Sequence, residues 1–245
     1  MLWILLLVSP FIGSFLGVLV VRLVDGRPVL WGRSVCDACG QILGPADLIP
    51  LASWLASRSR CRHCGVRLSW FYPAIEIAAL IVVAWAATET SGVVLFASCV
   101  LGWTLLTLAL IDWRAFVLPD TLTVFLLLSG IAAAYALDRE QLLGHMIGAS
   151  AGFLAFAAIA GTYRLLRGRQ GLGFGDAKFM AGTGAWLSWQ ALPTIVLFGA
   201  ALGLSYALMR SAVGRPVRLT DRLPFGTFLA LATWLVWLYG PLIPA

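Results

Sequence analysis

Two aspartates at the ends of apolar segments are the residues with the clearest potential for chemistry. Asp112 closes the apolar run Leu105–Ile111, and Asp176 ends a Gly-Phe-Gly-Asp tetrapeptide that precedes another apolar segment. Carboxylates beside hydrocarbon are costly, so they are candidates for functional sites. If two such groups face each other, one accepts a proton from water while the other, protonated, polarises a carbonyl. The pair predicts aspartic peptidase chemistry at a membrane face.

The same two carboxylates also suit structural or transport roles. Gly173 and Gly175 lack side chains and are expected to let an extended substrate backbone approach Asp176. Asp176 also suits a helix N-terminus, where it would act as a cap. Asp112 has Arg114 nearby as an alternative ion-pair partner. Because acids at membrane faces also occur in transporters, an ion-coupled transporter is the rival hypothesis, and a structural assembly factor is a third.

Four cysteines form a second set with a regular spacing. Cys36 and Cys39 make one Cys-x-x-Cys pair, and Cys61 and Cys64 make another after 21 intervening residues. Four thiolates spaced in this way suit tetrahedral zinc, and a glycine after each pair permits a tight turn. Because the cysteines fill all four positions, the zinc is expected to be structural. The alternative is a reduced, metal-free set.

The composition places these residues in a membrane protein. Of 245 residues, 61% are hydrophobic and 11% are charged, whereas soluble domains carry about 25% charged residues. A helix that crosses the hydrocarbon needs about 20 apolar residues. Eight segments are predicted to cross, and the first is expected to be a retained helix: Leu2–Val24, Pro73–Ala87, Val93–Ile111, Thr121–Leu137, Gly144–Leu166, Ala177–Ser188, Leu192–Arg210 and Pro224–Gly240. The predicted fold is all-α and polytopic, with a small zinc-binding loop.

The basic residues predict the orientation of the chain. With eight crossings, 16 of the 17 Lys and Arg residues fall on one side and only Arg139 falls on the other. Basic loops mark the cytoplasmic side. Both termini are therefore predicted to lie outside, and the zinc loop and both aspartates at the cytoplasmic face. The basic residues flank apolar runs instead of forming one stripe, which argues against nucleic acid as a partner.

These patterns divide the chain into three predicted regions. Residues 1–24 form the first transmembrane helix, residues 25–72 a cytoplasmic zinc-binding loop, and residues 73–245 a membrane-embedded catalytic domain. A cytoplasmic location disfavours structural disulfides between the four cysteines, which supports metal binding.

Short motifs follow one another along nearly the whole chain. In chain order they are Gly13-Ser14-Phe15-Leu16, the two cysteine pairs, Ser69-Trp70-Phe71-Tyr72-Pro73, Ile111-Asp112, Leu118-Pro119-Asp120, Gly173-Phe174-Gly175-Asp176-Ala177-Lys178 and Leu223-Pro224-Phe225-Gly226. Each motif alone is weakly specific, but their combination in this order is highly specific. The chain resembles the type IV prepilin peptidases, which are intramembrane aspartic peptidases of the GxGD class.

The resemblance implies a peptidase of the bacterial cytoplasmic (inner) membrane. Its substrates would be prepilins of type IV pili and pseudopilins of type II secretion, and it would remove their basic leader after a Gly. By the same resemblance, Asp112 and Asp176 are the catalytic pair, and Gly173, Gly175 and Lys178 belong to the active-site motif. The lipid bilayer would be the other partner.

The resemblance also implies a second activity. Members with four such cysteines methylate the new N-terminal amine with S-adenosylmethionine, and the likeness places this activity in the 25–72 region and its flanks. The sequence contains no glycine-rich nucleotide fingerprint after a strand, so no residue is assigned to S-adenosylmethionine. Glu76, Asp47 and Arg22 are hypotheses for that site.

Overall fold

The computed structural model describes residues 1–29, 32–36, 38–168, 173–214 and 222–242. Its helices are α1 (Leu2–Val24), α2 (Ala52–Ala56), α3 (Phe71–Glu89), α4 (Gly92–Ala115), α5 (Asp120–Leu137), α6 (Leu142–Arg167), α7 (Phe174–Ala212) and α8 (Phe225–Tyr239). Within the described residues, six helices are long and apolar enough to cross a membrane, and α8 is a shorter apolar helix. The prediction of an all-α polytopic membrane protein is confirmed.

The longest helix, α7, contains the predicted sixth and seventh crossings as two arms. Its backbone leaves the helical region at Ser188, where φ is 65° and ψ is 173°. Met180 and Leu192 would lie about 18 Å apart in a straight helix. Yet a Cβ at Gly152 would be 2.5 Å from the carbonyl oxygen of Met180 and 3.4 Å from Cδ1 of Leu192. The chain therefore turns back at Ser188, and the described residues contain eight apolar helical segments when the two arms of α7 are counted separately.

The chain forms two compact units, Met1–Cys99 (unit 1) and Val100–Ala245 (unit 2). The boundary between them falls inside α4. The three-region division drawn from the sequence stays a prediction. Three basic residues that contribute to the predicted charge asymmetry, Arg169, Arg215 and Arg218, lie outside the described residues.

In unit 1, α1 and α3 pack closely because α1 presents glycines to α3. A Cβ added at Gly13 would lie 2.6 Å from Cα of Glu76, and one at Gly17 would lie 3.1 Å from the side chain of Ile75. Glycines four residues apart on a membrane helix permit such close backbone approach. The packing buries Glu76, which is 5% exposed.

In unit 2, α7 packs against α5 and α6. A Cβ at Gly184 would clash with the backbone of Gly148 on α6. On the α5 side, the indole N–H of Trp186 donates to the carbonyl oxygen of Leu126 at 3.0 Å. These contacts hold the first arm of α7, and therefore fix the position of its N-terminus, where Asp176 lies.

Candidate active site and metal centre

Asp112 lies near the C-terminal end of α4, and its carboxylate meets the N-terminus of α8. The backbone N–H of Thr227 donates to Oδ2 of Asp112 at 2.8 Å, and the Thr227 hydroxyl lies 3.3 Å from the same oxygen. The hydroxyl also donates to the carbonyl oxygen of Ala109 at 2.9 Å. Free N–H groups and the helix dipole at a helix N-terminus stabilise a negative charge. Asp112 is 5% exposed and is held as a preformed acceptor.

Asp176 lies in the first turn of α7 and is 8% exposed. Its Oδ2 accepts a hydrogen bond from the backbone N–H of Gly173, the N-cap residue of α7, at 3.2 Å. The capping role that the sequence left open is therefore real. A cap uses one oxygen of a carboxylate, so it does not exclude a chemical role for the other.

Leu118 joins the surroundings of the two aspartates. A Cβ at Gly175 would lie 3.1 Å from Cβ of Leu118, and a Cβ at Gly226 would lie 3.1 Å both from Cδ1 of Leu118 and from Cγ of Asp112. The carboxylates of Asp112 and Asp176 are close enough to interact electrostatically. The structure thus brings the two predicted acids together, with the N-termini of α7 and α8 on either side of Leu118.

The residues of the predicted active-site motif have separate positions. Gly173 is the N-cap of α7, and a Cβ there would lie 3.3 Å from Oδ2 of Asp176. The space beside Gly175, where a side chain would lie, is occupied by Leu118 of the same chain. Lys178 points to the surface, where its Nζ lies 2.6 Å from Oδ1 of Asp120 at the start of α5. This ion pair ties the N-termini of α5 and α7 together.

Sequence reasoning missed Thr227, which donates the closest hydrogen bond to Asp112. Its position follows Leu223-Pro224-Phe225-Gly226, and that motif gave no indication that the next residue contacts Asp112. Proline before a helix marks its N-terminus. With that signal, residues at the start of α8 could have been proposed as donors, but their partner 115 residues away could not.

The four cysteines form one compact cluster in unit 1. All four sulfurs lie within 4.8 Å of one another, and the sulfurs of Cys36 and Cys64 are 3.9 Å apart. Tetrahedral zinc with bonds of about 2.3 Å places its sulfurs about 3.8 Å apart. The donor set and spacing fit a zinc ion, and no fifth group is required. Within the described part of the chain, the cysteines form no disulfide.

Two matching turns build the cluster. In each turn, the N–H of the glycine donates to the carbonyl oxygen of the first cysteine: Gly40 to Cys36 at 2.8 Å and Gly65 to Cys61 at 2.9 Å. Both glycines have positive φ, 69° and 71°, which glycine adopts without strain. Hydrogen bonds from backbone N–H groups, first from Cys64 and then from His63, lower the pKa of the Cys61 thiol to about 6. A thiolate is the form that binds a metal.

Comparisons with known proteins cover nearly the whole chain. The family model described as the bacterial peptidase A24 N-terminal domain matches residues 7–90, and that of the type IV leader peptidase family matches residues 99–208. A protein of Aeromonas hydrophila named prepilin leader peptidase/N-methyltransferase is 36% identical, covering 96% of this chain and 89% of that protein.

Two further relatives carry the same name. The one from Pseudomonas aeruginosa is 32% identical over 96% of this chain and 89% of its own length. The one from Burkholderia pseudomallei is 40% identical over 84% of this chain and 68% of its own length. No solved structure matches the chain.

Proposed function

The chain belongs to the type IV leader peptidase family, and we propose that it removes the leader peptides of prepilins or pseudopilins with Asp112 and Asp176 as catalytic residues. The observation that carries this proposal is the pair of buried carboxylates within electrostatic reach of each other. The names of the relatives support the substrate class. Cleavage after a Gly of the leader follows from the resemblance to the prepilin peptidases.

The chemistry requires the two carboxylates to differ in protonation. Like charges held close share one proton and titrate as a pair. The ionised member takes a proton from water as the water oxygen attacks the scissile carbonyl carbon, and the protonated member donates to the carbonyl oxygen. The C–N bond then breaks, and the leaving nitrogen takes up a proton. Fixed N–H donors at Thr227 and Gly173 keep the two carboxylates oriented throughout.

The second proposed activity is methylation of the new N-terminal amine. The relatives' names include N-methyltransferase, and the cysteine cluster lies in the segment matched by the N-terminal family model. The methyl donor S-adenosylmethionine would supply an activated methyl group. Zinc would act as a scaffold for the 25–72 loop, because four thiolates leave no open position for a substrate.

The proposed location is the inner membrane of a bacterium. Six long apolar helices support a multi-pass protein. The charge asymmetry supports a cytoplasmic zinc loop and catalytic face, with both termini outside. This orientation fits a substrate with a basic cytoplasmic leader and an apolar helix, because its cleavage site would lie at the membrane boundary.

Replacing each aspartate tests the peptidase proposal. We expect Asp112→Asn and Asp176→Asn each to reduce leader cleavage by about 10²- to 10⁴-fold, the range for loss of a general acid or base. Mass spectrometry of a prepilin N-terminus after incubation with the membrane-embedded enzyme measures the effect. Asp138→Asn is a matched control, since Asp138 follows α5 and its side chain is 43% exposed.

The outcome separates the proposal from its rival. Normal processing by either variant would refute the assignment of the pair. If the wild-type chain cleaved no prepilin but carried ions in proteoliposomes, and both variants abolished that flux, the ion-coupled transporter would replace the peptidase. The variants must be present in the membrane at wild-type abundance.

A further inference from the structure

Unit 1 contains a cavity of about 370 Å³ whose walls come from three parts of the unit. Helix α1 contributes Ser14 and Arg22, helix α3 contributes Glu76, and the cysteine turns contribute Cys36 and Cys61. Sites for small organic ligands and cofactors occupy about 300–1,000 Å³. The cavity is therefore large enough for one organic ligand, and the cysteine cluster forms part of its wall.

One wall of the cavity carries a buried acid. The Glu76 side chain accepts a hydrogen bond at Oε2 from the backbone N–H of Leu51 at 2.7 Å, and it is also hydrogen-bonded to Ser14. Gly13 permits the close helix packing that buries it. A carboxylate in such surroundings is stabilised by a nearby cation. The folded unit thus offers a cationic ligand a preoriented partner.

A second wall carries an unused donor. The indole Nε1 of Trp54 is buried and is the one buried side-chain nitrogen or oxygen, among the described residues, that has no hydrogen-bond partner. Leaving a buried donor unpaired costs free energy, so such groups are rare unless a ligand or water completes them. Trp54 lines the cavity, and its ring lies 4.1 Å from that of Trp70. A ligand with a hydrogen-bond acceptor would satisfy it.

The charges of the lining are of both signs. The Arg22 guanidinium donates hydrogen bonds to the carbonyl oxygens of Val29 at 2.8 Å and Gly32 at 2.9 Å. Arg62 forms an ion pair with Asp47 at 3.3 Å. Asp47 offsets the charge of Arg62, whereas Arg22 keeps its positive charge because carbonyl oxygens are neutral. The lining therefore retains basic groups beside the acid Glu76. An acid, an aromatic donor and further basic groups together suit a ligand that combines a cationic centre, an aromatic base and a carboxylate.

We propose that this cavity binds S-adenosylmethionine, with Glu76 facing a positively charged group of the donor and the Trp54 N–H donating to one of its acceptors. This inference rests on the proposed methyltransferase function. S-adenosylmethionine carries a sulfonium and an ammonium group, an adenine ring and a carboxylate, which matches each feature of the lining. Glu76 and Trp54 are binding residues in this proposal.

The test is binding of radiolabelled S-adenosylmethionine to the full chain in detergent micelles, measured by equilibrium dialysis. We expect one site per chain. Glu76→Gln should weaken binding about 10- to 100-fold, as for loss of a hydrogen bond to a charged group, and Trp54→Phe about 2- to 12-fold, as for a neutral one. Glu89→Gln on the same helix and Trp70→Phe beside Trp54 are the controls, because both residues are exposed. Neither control should change the dissociation constant.

The zinc content of the same preparations shows whether unit 1 of each variant is folded, because the cysteine cluster belongs to that unit. If Trp54→Phe and Glu76→Gln both retain zinc and bind S-adenosylmethionine with the wild-type dissociation constant, the cavity assignment is wrong. Competition by adenosine monophosphate as effective as that by S-adenosylhomocysteine would identify an anion site and also overturn it. Methylation of the prepilin by the wild-type chain, read by mass spectrometry, is scored separately. If the wild-type chain methylates the prepilin and both variants bind S-adenosylmethionine as tightly as wild type, only the cavity assignment is refuted. If the wild-type chain neither methylates the prepilin nor binds S-adenosylmethionine, the methyltransferase function is refuted as well.

Discussion

In unit 1 the buried carboxylate of Glu76 is held by a backbone N–H from a loop, whereas in unit 2 those of Asp112 and Asp176 are held by N–H groups at helix N-termini. The loop N–H belongs to Leu51, which lies between the two cysteine turns. The helix N–H groups belong to Thr227 and Gly173, which start α8 and α7. All three acids are buried at the ends of membrane helices, but different structures orient them.

The difference concerns what each site needs in order to keep its shape. Helix N-termini are rigid because the rest of the helix and its packing hold them. The loop of unit 1 has few regular elements, and the four cysteines that gather it require a metal to overcome the repulsion of their thiolates. We therefore expect the unit 1 site to depend on zinc and the unit 2 site to be independent of it.

The largest effect should come from removing the metal. Cys36→Ser, or chelation of the wild-type protein, should reduce methylation to below about 1% because folding of a small metal-bound unit is coupled to metal binding. Leader cleavage should fall far less. Metal analysis of the purified chain gives the zinc stoichiometry, and mass spectrometry of the processed prepilin scores both reactions. Cys99→Ser is the control, since Cys99 lies in α4, outside the cluster.

Two results would contradict the expectation that only the unit 1 site depends on zinc. A stoichiometry far below one zinc per active chain would remove the metal from unit 1. Equal cleavage, methylation and abundance in Cys36→Ser and wild type would show that the loop keeps its shape without its cysteines.

A smaller effect should come from Thr227, and it should be confined to unit 2. Thr227→Val removes the hydroxyl near Asp112 but keeps the backbone N–H, so cleavage should fall about 2- to 12-fold, the value of one neutral hydrogen bond. Methylation of a pre-cleaved substrate should be unchanged. Thr227→Ser retains the hydroxyl and should cleave the leader at the wild-type rate. Full cleavage by the Val variant together with a loss in the Ser variant would mean that packing of the methyl group, and not the hydrogen bond, is what matters.

The smallest effect should come from the ion pair between Lys178 and Asp120. The Asp120 side chain is 72% exposed, and exposed pairs contribute about 0–1 kcal/mol. Lys178→Gln should therefore change leader cleavage by less than about 5-fold and should be less damaging at high salt, where the pair is screened in wild type too. A loss of cleavage as large as that of Asp176→Asn would place Lys178 in the chemistry.

Local patterns in the sequence predicted the elements because each needs only nearby residues. The apolar runs predicted the membrane helices, and the first helix has the predicted limits, Leu2 to Val24. The Cys-x-x-Cys-Gly spacing predicted two turns, each built by contacts between close neighbours in the chain. The sequence also singled out Asp112 and Asp176, since a carboxylate beside hydrocarbon is visible without a structure. Their catalytic role stays a proposal.

The contacts between distant segments could not be predicted in this way. The break of α7 at Ser188 was predicted, since the apolar segments Ala177–Ser188 and Leu192–Arg210 were separated there, but the glycines of α6 that pack against this turn were not. Gly175 was expected to leave room for a substrate, but in the fold Leu118 occupies that space. Which side chain packs against a glycine depends on which segment of the chain crosses the helix at that position.

The sequence by itself determined the membrane environment, the two cysteine turns and the identity of the acids, because composition, spacing and charge are local properties of the chain. Only the tertiary structure decided that Thr227 binds Asp112, that Leu118 lies beside both aspartate sites, and that Glu76 and Trp54 line one cavity. Helix packing selects these contacts, and the residues that they join lie as far as 115 positions apart. A single sequence carries no signal for which distant backbone groups meet, since any helix N-terminus offers the same N–H donors.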